Sequence, residues 1–459
     1  MLDIVLIALA AIAVFVVAQR SFSKGTCVGI ALLVSLSPDL DIGTVLTVHR
    51  VILAVLLLFW LQGPQGSAVR GRMPFVSILI VILGSHIVSA MISMTPSELI
   101  VEQPKGSSLK DCIAFAVEIL LFYKLVGSTL TTPKAGLAAL RALVYGLAAV
   151  AVVAVIERYF RIILPVILFS HFRYLLDGIQ STYPHRILLG YAMAMGMPIA
   201  LSLLDLAPTK RQKFLMWAVV VLTAVACFLA DSRGGWIGMV IGGAISFLLG
   251  TGQTRKRCLW VIAFALATLV LKPGVRDTIV DRYVETFDTG SYKERSYSYR
   301  WKLWNVSFGE IGKSPERMLF GYGGQSTQGM DLSKYFGHEE GGTAVKIGFT
   351  SWDNNYAADL IEYGWVGLGL EIFLYASIVL GLLKRWQAAK GEMRGVLAAL
   401  IAVCVIYLFA MSNVYIFSAQ LKFVFWTAVV VGCVAFRPQG ARARLPVRRR
   451  MAEPVSVAQ

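Results

Sequence analysis

Along the chain, long apolar runs alternate with short polar links. The runs are Leu2 to Ala18, Gly25 to Ser37, Val45 to Leu61, Pro74 to Ser93, Cys112 to Gly127, Ala135 to Ile156, Ile187 to Leu206, Phe214 to Ala230, Gly234 to Gly250, Cys258 to Leu271, Trp365 to Leu383, Gly395 to Met411 and Tyr415 to Phe436. A helix needs roughly 20 apolar residues to cross the hydrocarbon core of a bilayer, so these runs predict membrane-spanning helices, the second run being the shortest. The expected fold is an all-α polytopic membrane protein with 12 to 13 transmembrane helices. One interruption is long, Lys272 to Trp352. The expected organisation is a helix block over 1–271, a large extracytoplasmic loop element over 272–352, C-terminal helices over 353–436 and a basic tail over 437–459.

Composition agrees with the pattern. Of 459 residues, 57% are hydrophobic and 15% charged, and the mean hydropathy is +0.69. Soluble domains carry about 25% charged residues, so an ordinary soluble enzyme is excluded. The net charge of +16 would suggest nucleic acid in a soluble protein. Here it tracks the links instead: every second link is basic, and together these links and the tail hold 22 Lys and Arg against Asp205, Glu392 and Glu453. Such positive flanks are retained in the cytoplasm. The bilayer is therefore the expected surrounding, nucleic acid is not an expected partner, and the alternation puts Met1 outside and Gln459 in the cytoplasm.

The segment 272–352 falls on the opposite face. It carries 11 basic and 10 acidic residues, is rich in Tyr and Trp and lacks cysteine, which reads as a folded element in an oxidising compartment. The six cysteines elsewhere stand singly, with neither disulfide pairing nor zinc-ligand spacing. No basic residue precedes the first run, so it reads as a retained span rather than a cleaved signal.

Polar groups near hydrocarbon are costly and mark function. The basic face offers no Walker loop and no His or carboxylate constellation, so chemistry is expected outside. Three external features carry it. Asp231-Ser232-Arg233-Gly234-Gly235-Trp236 puts an arginine and paired glycines into a tight turn between spans, a pattern that suits a phosphate or diphosphate; the plain alternative is an arginine snorkelling beside Asp231. Tyr183-Pro184-His185-Arg186 places a second arginine at the same level. The long segment holds Arg300 and Trp304, the turn Gly321-Tyr322-Gly323, His338, and Trp352-Asp353-Asn354-Asn355 opening a helix that continues to Gly364. Aromatic faces beside carboxylates and amides suit sugars, though the aromatics equally fit an interfacial belt and Asp353 equally fits a helix N-cap.

In this order, these features resemble the O-antigen ligase and polymerase superfamily of bacterial inner membranes. The matching pieces are Arg186, Ser232 to Trp236, Arg300-x-x-x-Trp304, Pro315 with Gly321 to Gly323, and Asn355 to Gly364. The resemblance implies a glycosyltransferase that takes a glycan from an undecaprenyl diphosphate carrier at the periplasmic face of the inner membrane, without metal or cofactor. The glycan passes to another carrier-linked repeat or to lipid A core. Flippase and chain-length regulator proteins are the partners it implies. Carried over, Arg186 and Arg233 bind the diphosphate and a residue of the large loop activates the acceptor; the candidates for that role are Asp353 first, His338 second and Glu362 third, with Arg300, Trp304 and Asn355 as the expected substrate contacts. Ligases of this kind commonly have His before the helix-opening Asn, where this chain has Asp353-Asn354-Asn355, so the expected activity is polymerisation with inversion at the anomeric carbon.

Two rival readings remain in the sequence. Asp39-Leu40-Asp41 would suit a metal-dependent glycosyltransferase, or a simple turn bounded by Pro38 and Gly43. Arg50, His86, Glu118, Arg141, Glu371 and Lys422 lie within apolar runs and would suit a transporter of lipid-linked glycans, or ion pairs inside the bundle.

Overall fold

The computed structural model describes residues 2–38, 40–42, 46–62, 73–92, 107–168, 178–287, 292–330, 332, 352–416 and 418–436. Asp39, His338 and the tail 437–459 lie outside the described residues. Each of the thirteen apolar runs carries a helix: α1 Leu2–Arg20, α2 Phe22–Ser35, α3 Val48–Gln62, α4 Val76–Ile92, α5 Ser108–Thr129, α6 Pro133–Phe160, then after the short α7 Leu164–Leu168, α8 Arg186–Leu203, α9 Lys210–Leu229, α10 Arg233–Leu249 and α11 Gly252–Leu271. The long segment adds α12 Pro273–Phe287, α13 Tyr292–Ile311 and α14 Pro315–Phe320, followed by α15 Asn355–Ala388, α16 Glu392–Met411 and α17 Ala419–Ala435. The only sheet among the described residues pairs Asp41–Ile42 with Leu46–Thr47.

The chain is an all-α multi-pass membrane protein. Among the described residues seven helices, α1, α5, α6, α8, α9, α15 and α16, are long and apolar enough to cross a bilayer, or eight if α11 and the start of α12 form one span broken by a bend of 98°. The expected 12 to 13 is reached only by adding the shorter apolar helices α2, α3, α4, α10 and α17. The polar links supply the helix starts: Ser21, Thr132, Thr209, Ser232 and Thr251 each accept a backbone N–H of the following first turn, which pairs donors that a helix cannot pair internally.

Helix α8 lies at the centre, with nearly every residue from Leu188 to Leu203 buried. Its small residues explain this, because lipid gives no hydrophobic drive between helices and close backbone approach must supply the contact. A Cβ on Gly190 would lie 3.3 Å from Gly235 Cα of α10, and one on Gly196 would lie 2.8 Å from Leu147 of α6. A second, smaller core joins the long segment to the bundle: Tyr299, Leu303 and Ile311 of α13, Tyr322, Trp352 and the α15 residues Ala357 to Ile361. The folded element therefore continues past Trp352 into the first turns of α15, as far as the break at Gly364, where φ is +64°.

Candidate functional site

An arginine cluster sits where α8 and α10 begin. α8 starts at Arg186 behind His185, whose Nδ1 accepts the Ile187 N–H at 3.1 Å. α9 runs back to the same end, and a tight turn starts α10 at Arg233. In that turn Asp231 has φ of +47°, a conformation side-chain-bearing residues seldom adopt and one that tends to collect at functional sites. Its carboxylate meets two arginines. Arg282 of α12 donates Nε to Oδ1 at 3.1 Å and Nη2 to Oδ2 at 2.7 Å, and Arg186 Nη1 lies 3.6 Å from Oδ2. Arg233 is within electrostatic reach of both Arg282 and Arg300. Arg300 of α13 donates Nε to the Asn413 carbonyl at 2.9 Å and Nη2 to Asp353 at 3.4 Å. Four guanidiniums thus gather with three carboxylates, Asp231, Asp353 and Glu285, the last paired with Arg282 Nη1 at 3.0 Å, and the ion-paired side chains here are only partly exposed.

The paired glycines after Arg233 have a packing reason as well as the anion-binding one expected of them. A side chain on Gly234 would strike Tyr191 Oη, and one on Gly235 would lie 2.8 Å from Gly190 Cα. The turn is therefore pressed against α8, which brings Arg233 to the level of Arg186. Gly235→Ala is expected to lower the unfolding midpoint and to cost about 1–3 kcal/mol, the usual price of overpacking. Thermal unfolding of the purified protein checks this, and an unchanged midpoint would show that the helices separate freely.

The helix start at Asn355 is braced from two sides. Asn354, rather than Asp353, is the N-cap: its Oδ1 accepts the Ala357 N–H at 3.2 Å. Asp353 is thereby left to pair with Arg300. The Gly321-Tyr322-Gly323 turn docks backbone to backbone on the end of this helical stretch, with Tyr322 N–H donating to the Ile361 carbonyl at 2.8 Å and Gly323 N–H to the Glu362 carbonyl at 2.9 Å. Gly321, at φ +73°, would place a Cβ 2.5 Å from the Ile361 carbonyl oxygen, so only glycine permits this contact. Tyr299, beside Arg300, is buried; burial and the nearby Asp353 carboxylate push its phenol up from the ordinary tyrosine range, so it stays protonated and is no base near neutral pH.

The expected site residues fall into two groups. Arg186, Arg233, Arg300 and Asp353 come together in the arginine cluster. Asn355 and Glu362 line a cavity in the bundle. Asn355 Oδ1 accepts the Ile416 N–H at 3.0 Å and its amide donates to Asp359. Glu362 is buried and accepts from Thr327 Oγ1, with Tyr415 Oη at 3.4 Å. Trp304 lies in an aromatic ladder, stacked on Phe308 at 5.6 Å, which stacks on Trp365 at 6.0 Å. His338 is outside the described residues. Of Asp39-Leu40-Asp41, Leu40 is fully buried and Asp41 opens the two-residue strand. Among the described residues no three His, Cys, Asp or Glu form a metal-ligand group. Sequence reading did not single out Arg282, which lies 51 positions from Asp231 in sequence; a basic residue in a loop carries no local signal of such a pairing.

Of the residues that suit a transporter, Arg50 and Glu118 form an ion pair at 3.3 Å, Arg141 donates to the Leu206 carbonyl at 3.2 Å, and Glu371 and Lys422 line one cavity. Ion pairing inside the bundle thus accounts for the first of them.

A bundle of apolar helices that carries a partly exposed arginine cluster where α8 and α10 begin is a multi-pass membrane protein. Residues 218–372 match the family model described as O-antigen ligase, which supports the resemblance to the O-antigen ligase and polymerase superfamily. The match covers about a third of the chain; it takes in Arg233, Arg300, Trp304, Asp353, Asn355 and Glu362 and stops short of Arg186. No curated protein matches the chain.

Proposed function

We propose that the protein is a glycosyltransferase that polymerises oligosaccharide repeats carried on undecaprenyl diphosphate, at the periplasmic face of the bacterial inner membrane. The single observation that carries this reading is the gathering of Arg186, Arg233, Arg282 and Arg300 around Asp231, Asp353 and Glu285. Its positive excess fits a diphosphate. In the transfer, an acceptor hydroxyl attacks the anomeric carbon as the bond from that carbon to the diphosphate oxygen breaks on the opposite face, giving inversion. Asp353 takes the hydroxyl proton. The leaving diphosphate gains negative charge, and preorganised guanidiniums stabilise it more in the transition state than in the bound donor. Asp353 in place of the ligases' histidine favours a polymerase over a ligase that delivers glycan to lipid A core. A flippase supplying the carrier-linked repeat and a chain-length regulator are the proposed partners.

The test is reconstitution of the full chain in liposomes with one polyprenyl diphosphate-linked repeat as both donor and acceptor. The expected product is a ladder of lipid-linked oligomers, formed equally in EDTA. A ladder abolished by EDTA would favour a metal-dependent enzyme using Asp39 and Asp41. No ladder until lipid A core is added would identify a ligase.

A further inference from the structure

Beside the first turns of α15 the bundle holds a cavity of about 90 Å³. One buried water needs roughly 10–15 Å³ by this measure, so the space holds the equivalent of several waters, about one sugar ring. Its walls include His86, Asp111, Asp359, Glu362, Glu371 and Lys422. Acidic residues alone would define nothing, because each carboxylate already has a protein donor or a nearby cation. Asp111 accepts from Tyr363 Oη, Asp359 from Asn355 and Glu362 from Thr327, while Glu371 feels Lys422.

His86 is the residue that points to a ligand. It is 3% exposed, and neither ring nitrogen has a hydrogen-bond partner; Glu371 Oε1 is 4.0 Å from Nε2, beyond hydrogen-bonding range. The ring is held in place by stacking on Tyr363 at 3.7 Å and 9° and by an edge contact with Phe115 at 4.9 Å. A buried polar group left unpaired costs about 1–3 kcal/mol, so a fixed, unpaired imidazole in a cavity wall calls for a partner from inside the cavity. A second observation comes from α5, which widens into a π-helical stretch over Phe115–Leu121 where Phe115, Glu118 and Ile119 line the same space. Such widenings recur at functional sites.

The donor set selects the ligand class. The lining carries five carboxyl groups, of Asp111, Glu118, Asp359, Glu362 and Glu371, against the single ammonium of Lys422, beside the tyrosine hydroxyls and the imidazole of His86, so it offers hydrogen-bond partners of both kinds and an acidic excess that disfavours an anion. Aromatic rings of Tyr363, Tyr375 and Tyr415 flank them. A ligand rich in O–H donors and free of negative charge satisfies this wall; a uronic acid or a phosphate does not. Asn355, Asp359 and Glu362 belong to the helix turns that follow Asp353, so the cavity and the arginine cluster share one wall. We infer that this cavity is a subsite for one uncharged pyranose of the acceptor glycan, held by His86 and the surrounding carboxylates. The word acceptor rests on the proposed transfer reaction; the sugar-binding chemistry does not.

Saturation-transfer NMR on the purified full chain tests it, with the methyl glycosides of glucose, galactose, N-acetylglucosamine and glucuronic acid as probes. At least one neutral glycoside is expected to bind, with the glucuronide at least tenfold weaker. His86→Phe, which keeps the ring stack and removes both nitrogens, is expected to weaken neutral binding at least tenfold. Glu371→Gln, close to isosteric, is expected to narrow the gap between neutral and acidic sugars and serves if the histidine variant does not fold. Arg233→Ala is expected to leave these signals in place, so failure of the sugar subsite and failure of the arginine cluster are told apart. Absence of signal from every glycoside, or equal binding of neutral and acidic probes that neither cavity variant alters, overturns the inference.

Discussion

Arg233→Ala is expected to lower transfer from a lipid diphosphate donor about 10²–10³-fold, the usual effect of removing one preorganised donor aimed at developing negative charge. Arg186→Ala is expected to fall in the same range. The loss belongs in kcat as well as kcat/KM, since the charge on the leaving diphosphate grows toward the transition state. Steady-state rates on the reconstituted enzyme, at matched protein level, check it. Both arginines are attached to the ends of packed helices, so alanine there removes charge without opening a cavity in the core. Arg186→Lys and Arg233→Lys are expected to recover only part of the rate, because an ammonium cannot offer the two parallel donors of a guanidinium. The double variant is expected to lose less than the product of the single effects, since the two side chains act on one group. Retention of most activity by both single variants would remove the diphosphate cluster from the mechanism.

Asp353→Asn is expected to cost about 10²–10⁴-fold in transfer, the range for loss of a general base. Asparagine keeps the size and hydrogen-bonding shape, and Asn354 still caps the helix, so the fold should hold and the unfolding midpoint should change little. The substitution also removes the negative charge paired with Arg300 at 3.4 Å, while the amide oxygen can still accept from that guanidinium. A fall in kcat without a rise in KM therefore separates loss of a base from loss of positioning. Glu362→Gln is the comparison: its carboxylate is buried under Thr327 and Tyr415, and it borders the cavity rather than the arginines. A larger kcat loss for Glu362→Gln than for Asp353→Asn would move the base to Glu362.

These expectations combine what is local in the chain with what is not. The helices themselves were legible from apolar runs, because burial in lipid rewards continuous hydrophobic stretches and each run carries its own backbone hydrogen bonds. The level of Arg186 and Arg233 was legible too, since both open helices that face the same side by simple alternation. The place of Asp353 was ambiguous: an Asp before Asn-Asn reads as cap or as carboxylate, and the structure gives the cap to the neighbouring Asn354. Gly321 read as part of a turn and Gly364 as the end of a helical stretch, yet the contact that needs both joins segments some 40 residues apart.

The sequence by itself determined a many-helix membrane protein, the alternating charge of its links and the arginines at its helix starts, because these depend on local composition and on the short reach of a helix. Only the tertiary structure decided that Arg282 shares Asp231 with Arg186, that Asp353 pairs with Arg300, and that His86 from α4 meets Asp111, Asp359 and Glu371 around one cavity. Those contacts join residues far apart along the chain through helix packing. A side chain's charge is written in its own position, whereas its partner is set by which helices pack together.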